Sequence, residues 1–285
     1  MNSKVALITG ASRGLGKVLA HRFWESNYSL YLIARSYEEL QKVRSSLPPR
    51  PSQNCDIYGC DLGISESIEC LRSEIYNNLS RLNVLINNAG THGPIGQSWI
   101  NNKSDWQKTI QVNLLAPVDL CQMAVPLMEQ TGGGVIINIS GGGATGPRPN
   151  FSAYATAKAA LIRFSETLAE ETRGISIRVN CIAPGAMKTA LLEEILEKGA
   201  QLSGEREFDL ASKVFVEGGA SMDRVADLAL FLASEDSKGI TGKLISAVWD
   251  RWEDWPFHLD ELNKTDIYTL RRIVGRDRGM NWGDK

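Results

Sequence analysis

The stretch KVALITGASRGLG, from Lys4 to Gly16, decides the fold. Lys4–Thr9 (KVALIT) is short, apolar and β-branched, and it reads as a buried strand. Leu15–Ser26 then reads as a helix, with Leu15, Val18, Leu19, Arg22 and Phe23 on one stripe. The join is Thr9-Gly10-Ala11-Ser12-Arg13-Gly14-Leu15-Gly16. Glycines 10, 14 and 16 let the backbone turn tightly and let a pyrophosphate approach the amides. The helix N-terminus adds free N–H groups and a partial positive charge. The spacing is GxxxGxG rather than the GxGxxG of the general dinucleotide fingerprint. Alone, such a loop is equally a tight β–α turn. Its place between a first strand and a first helix favours the phosphate reading.

Working outward, strands and helices alternate. Strands are expected at Ser29–Ala34, Cys55–Cys60, Val84–Asn87, Val135–Ile139 and Ser176–Ile182, with a last one at Lys243–Val248. Helices are expected at Tyr37–Leu47, Ile64–Leu79, Asp105–Gln130, Ser152–Arg173 and Asp223–Ala233. Pro117 and Pro126 should bend or shorten the helix that holds them. Strands separated by helices imply right-handed crossovers and a parallel sheet covered on both faces. The expected fold class is therefore α/β: a three-layer, doubly wound Rossmann-type fold with about seven strands. Residues 1–248 read as one domain, and 249–285 as a Trp-rich extension without a core of its own.

Composition narrows the function. The chain has 285 residues, 31 Lys plus Arg against 33 Asp plus Glu, and a formal net charge of −2. That balance shows no footprint for nucleic acid and no polybasic membrane signal. No run of 18 consecutive apolar residues is present, so no membrane partner is expected. The N-terminus lacks the pattern of a secretory signal. Five cysteines (Cys55, Cys60, Cys70, Cys121, Cys181) form no CxxC pair, which suits a reducing cytoplasm rather than a disulfide or zinc framework. The three histidines are scattered, so no metal site is expected; His92 follows Gly90 closely and borders the expected cleft.

The end of the second strand selects the nicotinamide cofactor. A carboxylate there binds the ribose 2′-hydroxyl, whereas arginine suits a 2′-phosphate. This strand ends Ile33-Ala34-Arg35-Ser36, and Arg13 lies in the glycine loop. Two arginines can clamp a phosphate with charge-assisted bonds, so NADP(H) is expected over NAD(H). Further along, Tyr154 and Lys158 are four residues apart at the start of a helix and share a face. A phenol has an ordinary pKa of ~10, and a neighbouring ammonium favours its ionised form. A surface Tyr–Lys pair is the plain alternative.

Together these motifs resemble the short-chain dehydrogenase/reductase family. TGASRGLG (9–16), Asp61, NNAG (87–90), Asn113, YATAK (154–158) and PG (184–185) fall in that family's order and spacing, and the resemblance covers roughly residues 4–248. It implies an oxidoreductase of the compact branch acting on a small alcohol or carbonyl compound. Tyr154 would be the acid/base, and Lys158 would bind the nicotinamide ribose and depress the tyrosine pKa. Asn113 would hold a relay water. Asp61 would touch the adenine. Asn87, Ala89 and Gly90 would line the cleft, and Pro184, Gly185 and Thr189 would sit near the carboxamide. Gly10, Ser12, Arg13, Gly14, Leu15 and Gly16 would cradle the phosphates. A homodimer or homotetramer, paired through the helices at 105–130 and 152–173, is implied as well.

The chain departs from that pattern in places. The family's serine thirteen residues before the tyrosine falls on Gly141, with Ser140 one position earlier. The run Gly141-Gly142-Gly143 could relax the loop and bring Ser140 to the site; otherwise Ser140 is structural and one donor is lost, commonly at ~100-fold or more in rate. Four of seven tryptophans (Trp249, Trp252, Trp255, Trp282) follow Val248, and the first three could share a helical stripe. The polar segment Ala186–Ala220 stands where the family keeps a mobile substrate lid. Three readings remain open here: an alcohol–carbonyl oxidoreductase, a sugar or sugar-nucleotide keto-reductase suggested by the tail, and a cofactor-binding sensor or structural subunit suggested by Gly141.

Overall fold

Seven short apolar runs pair in parallel in the computed structural model, which describes residues 3–282. The strands are β1 (Lys4–Thr9), β2 (Tyr28–Ala34), β3 (Cys55–Gly59), β4 (Val84–Asn87), β5 (Gly134–Ile139), β6 (Ile177–Ala183) and β7 (Leu244–Ser246). Their order across the sheet is β3-β2-β1-β4-β5-β6-β7, so direction of winding reverses beside β1. That crevice between β1 and β4 is where a doubly wound sheet binds its ligand.

Period-two alternation sends side chains to both faces. Ala6, Ile8, Leu30, Leu32, Ile86 and Ile137 meet α1 (Gly14–Glu25), α2 (Tyr37–Ser46) and α9 (Met222–Ala233) on one face. Leu7, Tyr31, Ile33, Leu85 and Ile136 meet α3 (Ser65–Asn78) and α5 (Ala116–Gln130) on the other. The expected three-layer α/β fold is thus present, with element ends moved by a few residues. Asn102 explains one such move. Its side chain accepts from the Ser104 and Asp105 amides and starts α4 (Lys103–Ile110) before Asp105.

The expected bend in the long helix is a π-helical turn, Gln111–Leu115, between α4 and α5. Pro117 has no N–H to give to the Asn113 carbonyl, which loosens the ladder at that point. The full run 103–130 is long and apolar enough, by length and composition, to cross a bilayer. Its apolar side is core: Leu120, Met123, Leu127 and Met128 pack with Leu85 and Ile136.

A polar chain crosses the interior where the site is built. Asn87 Nδ2 donates to Asn138 Oδ1 (2.8 Å), and Asn138 Nδ2 donates to Ser165 Oγ (2.7 Å) on α6 (Ser152–Glu171). This links β4, β5 and α6 without water. The Trp-rich tail packs back on the fold. Trp252 meets Phe231 of α9 (ring centroids 5.1 Å apart), and Trp255 meets Tyr268 (4.4 Å). The expected three-tryptophan stripe is corrected. Trp252–His258 is a 3₁₀ helix interrupted for hydrogen bonding by Pro256, Trp252 and Trp255 are buried, and Trp249 is 85% exposed. The tail also runs beside β7, where the Leu244 amide donates to the Tyr268 carbonyl.

Replacing Asn138 by alanine should destabilise the fold by about 1–3 kcal/mol, because it leaves Asn87 Nδ2 only the Cys121 sulfur and takes one donor from Ser165 Oγ. Urea unfolding measures this, and a loss below about 0.5 kcal/mol would contradict the structural role of the chain.

Candidate active site

The glycine loop is shaped by close approach. Gly10 and Gly14 have positive φ (65° and 51°), and a side chain on Gly16 would collide with the Gly10 carbonyl. No side chain caps α1, whose first turn also lacks acidic residues, so its amides point toward the crevice unneutralised. The loop is tied down on two sides. Ala11 N–H donates to the Ile33 carbonyl at the end of β2 (3.2 Å), and the Asn88 amide side chain donates to the carbonyls of Thr9 and Gly10 (2.9 and 3.3 Å). Thr9 Oγ1 in turn accepts from the amides of Asn88 and Ala89 (3.0 Å each). Arg13 and Arg35 therefore leave the same corner, where both are exposed and neither pairs with another described residue.

Asn113, fully buried, is presented by the π-helical turn. Such turns often mark functional positions. Its Nδ2 donates to the carbonyls of Thr91 (2.8 Å) and Thr109 (2.9 Å), and its Oδ1 accepts from Thr91 N–H (3.3 Å). A Cβ on Gly90 would lie 3.0 Å from Asn113 Oδ1 and 3.7 Å from Lys158 Nζ, so Gly90, Asn113 and Lys158 converge.

Lys158 is buried and donates to the Ile139 carbonyl at the end of β5 (2.8 Å). Burial pushes its amine down to about 8. The Nζ lies 5.7 Å from the centre of the Tyr154 ring, which places amine and phenol on one face of α6 as the spacing predicts. Burial pushes the Tyr154 phenol up; the charge that pulls it back is the Arg148 guanidinium.

Ser140 does not meet the phenol. Its hydroxyl is buried and forms no hydrogen bond among the described residues, and its N–H still donates to the Ile182 carbonyl (2.8 Å). Ser140 thus remains locked to the sheet. The phenol oxygen rests directly over Gly141, where a side chain would clash with it. Asp61 Oδ1 accepts from Gly63 N–H (2.9 Å) in the turn after β3. Pro184 is buried and Gly185 is held at φ 80° against Val248 and Ala220. Thr189 opens α7 (Ala190–Ser203) with its methyl 3.7 Å from where a Gly14 side chain would begin.

The polar lid segment forms α7 and α8 (Glu205–Glu217). Leu192, Ile195, Ala211 and Val214 from these helices enclose Tyr154 with Phe151 and Ile95. Beneath them lie Arg148 and Glu207, which sequence reasoning missed as a pair, and His92, which borders the cleft as expected. Arg148 donates from Nε and Nη2 to Glu207 Oε2 (3.0 and 2.7 Å). His92 lies edge-on to Tyr154 (5.0 Å) and faces Glu194 (3.5 Å). Arg148 sits in a Gly/Pro-rich loop with no periodicity, so no sequence signal marks it. Separately, a cavity of about 480 Å³ lies in the tail between Trp249, Trp255 and Tyr268, and none of the residues around Tyr154 lines it.

Comparison with known proteins follows this geometry. The family model for short chain dehydrogenases matches residues 4–200. A 3-oxoacyl-[acyl-carrier-protein] reductase, FabG, of Thermotoga maritima is 30% identical over 246 residues, covering 86% of this chain and 96% of that one. The NADPH-dependent reductase BacG of Bacillus subtilis is 30% identical over 253 residues, covering 87% and 97%. The crystal structure of YwfH, an NADPH-dependent reductase involved in bacilysin biosynthesis, superimposes with a TM-score of 0.77 at 29% identity, covering 86% of this chain and 96% of that one. The chain belongs to the short-chain dehydrogenase/reductase family of oxidoreductases, enzymes that act on CH–OH or carbonyl groups.

Proposed function

We propose that the protein is an NADP(H)-dependent oxidoreductase that interconverts a small alcohol and its ketone or aldehyde, with Tyr154 as acid/base. The observation that carries this reading is the convergence of Tyr154, Lys158, Asn113 and Gly90 beside the β1–β4 crevice. The crevice fits a dinucleotide on its own terms: an uncapped helix start, two positive-φ glycines and a Gly16 that tolerates no side chain. The residues that would hold it are Gly10, Ser12, Arg13, Gly14, Leu15 and Gly16 at the phosphates and Arg35 at the 2′-phosphate. Asp61 would serve the adenine side; Asn87, Ala89 and Gly90 the cleft wall; Pro184, Gly185 and Thr189 the far end. Such a cofactor supplies or accepts hydride when bound.

The chain's own residues handle the proton. Burial keeps the Tyr154 phenol protonated at neutral pH, ready to donate from Oη to a carbonyl oxygen. Lys158, anchored on the Ile139 carbonyl, retains N–H donors for a ribose hydroxyl and for a relay water, to which Asn113, both its Nδ2 hydrogens being spent, would offer an acceptor oxygen. The lid residues around Tyr154 exclude bulk water. Arg13 and Arg35, charged and unpaired at one corner, support NADP(H) over NAD(H), as do the printed names of BacG and YwfH. We place this machinery on residues 1–248, with the described part of the 249–285 extension, up to residue 282, as a strap along α9 and β7, in a homodimer or homotetramer. The free thiols suit a cytoplasmic setting.

Gly141 beneath the phenol favours a second reading, a cofactor-binding sensor with little turnover. One experiment separates the two. Tyr154→Phe should retain NADPH affinity while lowering carbonyl reduction by about 100-fold or more. A wild-type protein that binds NADPH yet turns over no carbonyl in a broad panel would favour the sensor. Fluorescence titration should also show NADPH binding more tightly than NADH, and Arg35→Asp should reverse that order; tighter NADH binding by the wild type would overturn the arginine argument.

The pH dependence follows from the two shifts. Reduction needs the protonated phenol and, for ribose binding, the Lys158 ammonium. Its rate should be flat through neutrality and fall as pH rises past about 8, where Lys158 loses its charge. Alcohol oxidation needs the phenolate, which burial makes harder to form, so its rate should still be rising with pH through neutrality until loss of the Lys158 charge past about 8 opposes the rise. Initial rates in both directions across pH measure this. An oxidation limb already complete below neutrality would contradict it.

A further inference from the structure

Four titratable side chains lie around Tyr154 without carrying the transferred proton: His92, Arg148, Glu194 and Glu207. Arg148 is the most constrained. Its side chain is 12% exposed, and its ion-pair partner is Glu207 at 19%. One guanidinium face lies on the Phe151 ring (4.0 Å to the centroid), and the guanidinium carbon is 5.7 Å from the centre of the Tyr154 ring. Gly142 leaves the adjoining space to backbone alone, since even a Cβ there would stand 3.7 Å from the guanidinium. Both bonds to Glu207 fall on one carboxylate oxygen, so the planar fork is not saturated.

The partner sits on the lid. Glu207, Ala211 and Val214 are spaced along one face of α8, and Ala211 and Val214 are the residues that cover Tyr154. The helices α7 and α8 pack chiefly on each other. A displacement of α8 that uncovers the phenol for a substrate would therefore also draw Glu207 away from Arg148. Once a substrate fills the space over the phenol and displaces the water there, an arginine left unpaired is strongly disfavoured. A neutral substrate leaves it so, whereas a carboxylate-bearing one restores the pair.

We propose that Arg148 is the specificity-determining residue of this site and that it receives the carboxylate of a short keto acid, or of the corresponding hydroxy acid, in exchange for Glu207. This rests on the oxidoreductase reading of Tyr154 and adds the substrate class to it. The guanidinium's nearness to the phenol ring sets the carboxylate a few bonds from the reacting carbonyl. Glu207 occupies the anion position while the lid is down.

The test compares acetoacetate and levulinate with their methyl esters in NADPH oxidation. Wild type should use the acids with kcat/KM about tenfold or more above the esters, mainly through KM. Arg148→Leu should bring the acid-to-ester ratio to about one, and Arg148→Lys should recover part of it. Glu207→Gln should lower KM for the acids, because it removes their competitor; loss of a purely structural latch would not tighten acids selectively. Esters used as well as acids by wild type, or both variants changing acids and esters alike, would overturn the proposal. Calorimetric titration of acetoacetate and levulinate into the NADP+-loaded protein separates the two levels. Arg148-dependent binding without turnover of any carbonyl keeps the anion site and refutes the oxidoreductase reading. No Arg148-dependent binding, with ester reduction intact, refutes the anion site alone.

Discussion

A buried amine must find an oxygen, and the way Lys158 does so organises this site. Its Nζ is held by the Ile139 carbonyl, the last residue of β5, at 2.8 Å. That bond fixes the rotation of α6 against the sheet and so fixes where Tyr154, one turn earlier, presents its phenol. The same amine lies beside Gly90 and Asn113, which requires the π-helical turn that Pro117 permits. The Asn87–Asn138–Ser165 chain sets the spacing between sheet and helix from within. Side chains from β4, β5, α6 and the π-helical turn are thus tied together by buried hydrogen bonds, while Asn87 Oδ1 and Ser140 Oγ stay without a partner among the described residues.

The electrostatic balance differs from the one the motif suggests. Spacing alone makes Lys158 the natural cation for the phenol. In the folded chain Lys158 spends its nearest bond on a backbone oxygen, and burial lowers its own proton affinity. Arg148, reaching in from the loop after β5, is the charge that offsets part of the effect of burial on the phenol. Gly141 makes this arrangement possible, because the phenol rests where a side chain would otherwise stand. The site thus lacks a hydroxyl at 141 and has a guanidinium, paired with Glu207, beside the ring.

The sheet was legible in the sequence because its strands are buried on both faces, and the runs KVALIT and VLIN need no partner to be recognised. The glycine loop and the Tyr154–Lys158 spacing were legible for a related reason: both are local, set by chain geometry within one turn. The groups that were not legible act across long sequence separations. Arg148 and Glu207 are 59 residues apart, and Asn87 and Asn138 are 51 apart. Nothing in a linear pattern pairs them. The tail misled for a geometric reason as well. Trp249, Trp252 and Trp255 keep a three-residue spacing, but the chain turns into a 3₁₀ helix only at Trp252, so Trp249 is left outside the packing.

The account stands on a buried phenol whose proton is held by its surroundings and released beside a dinucleotide. Its most direct test is a nuclear magnetic resonance titration of the protein with 13C-labelled tyrosine, with the Tyr154 signal assigned by its loss in Tyr154→Phe. The account predicts that this phenol stays protonated past the ordinary value of ~10 in the protein alone. It also predicts that adding NADP+ shifts the resonance and brings the titration down, and that Lys158→Met abolishes that change. A Tyr154 signal that titrates at the ordinary value and ignores NADP+ would contradict the account.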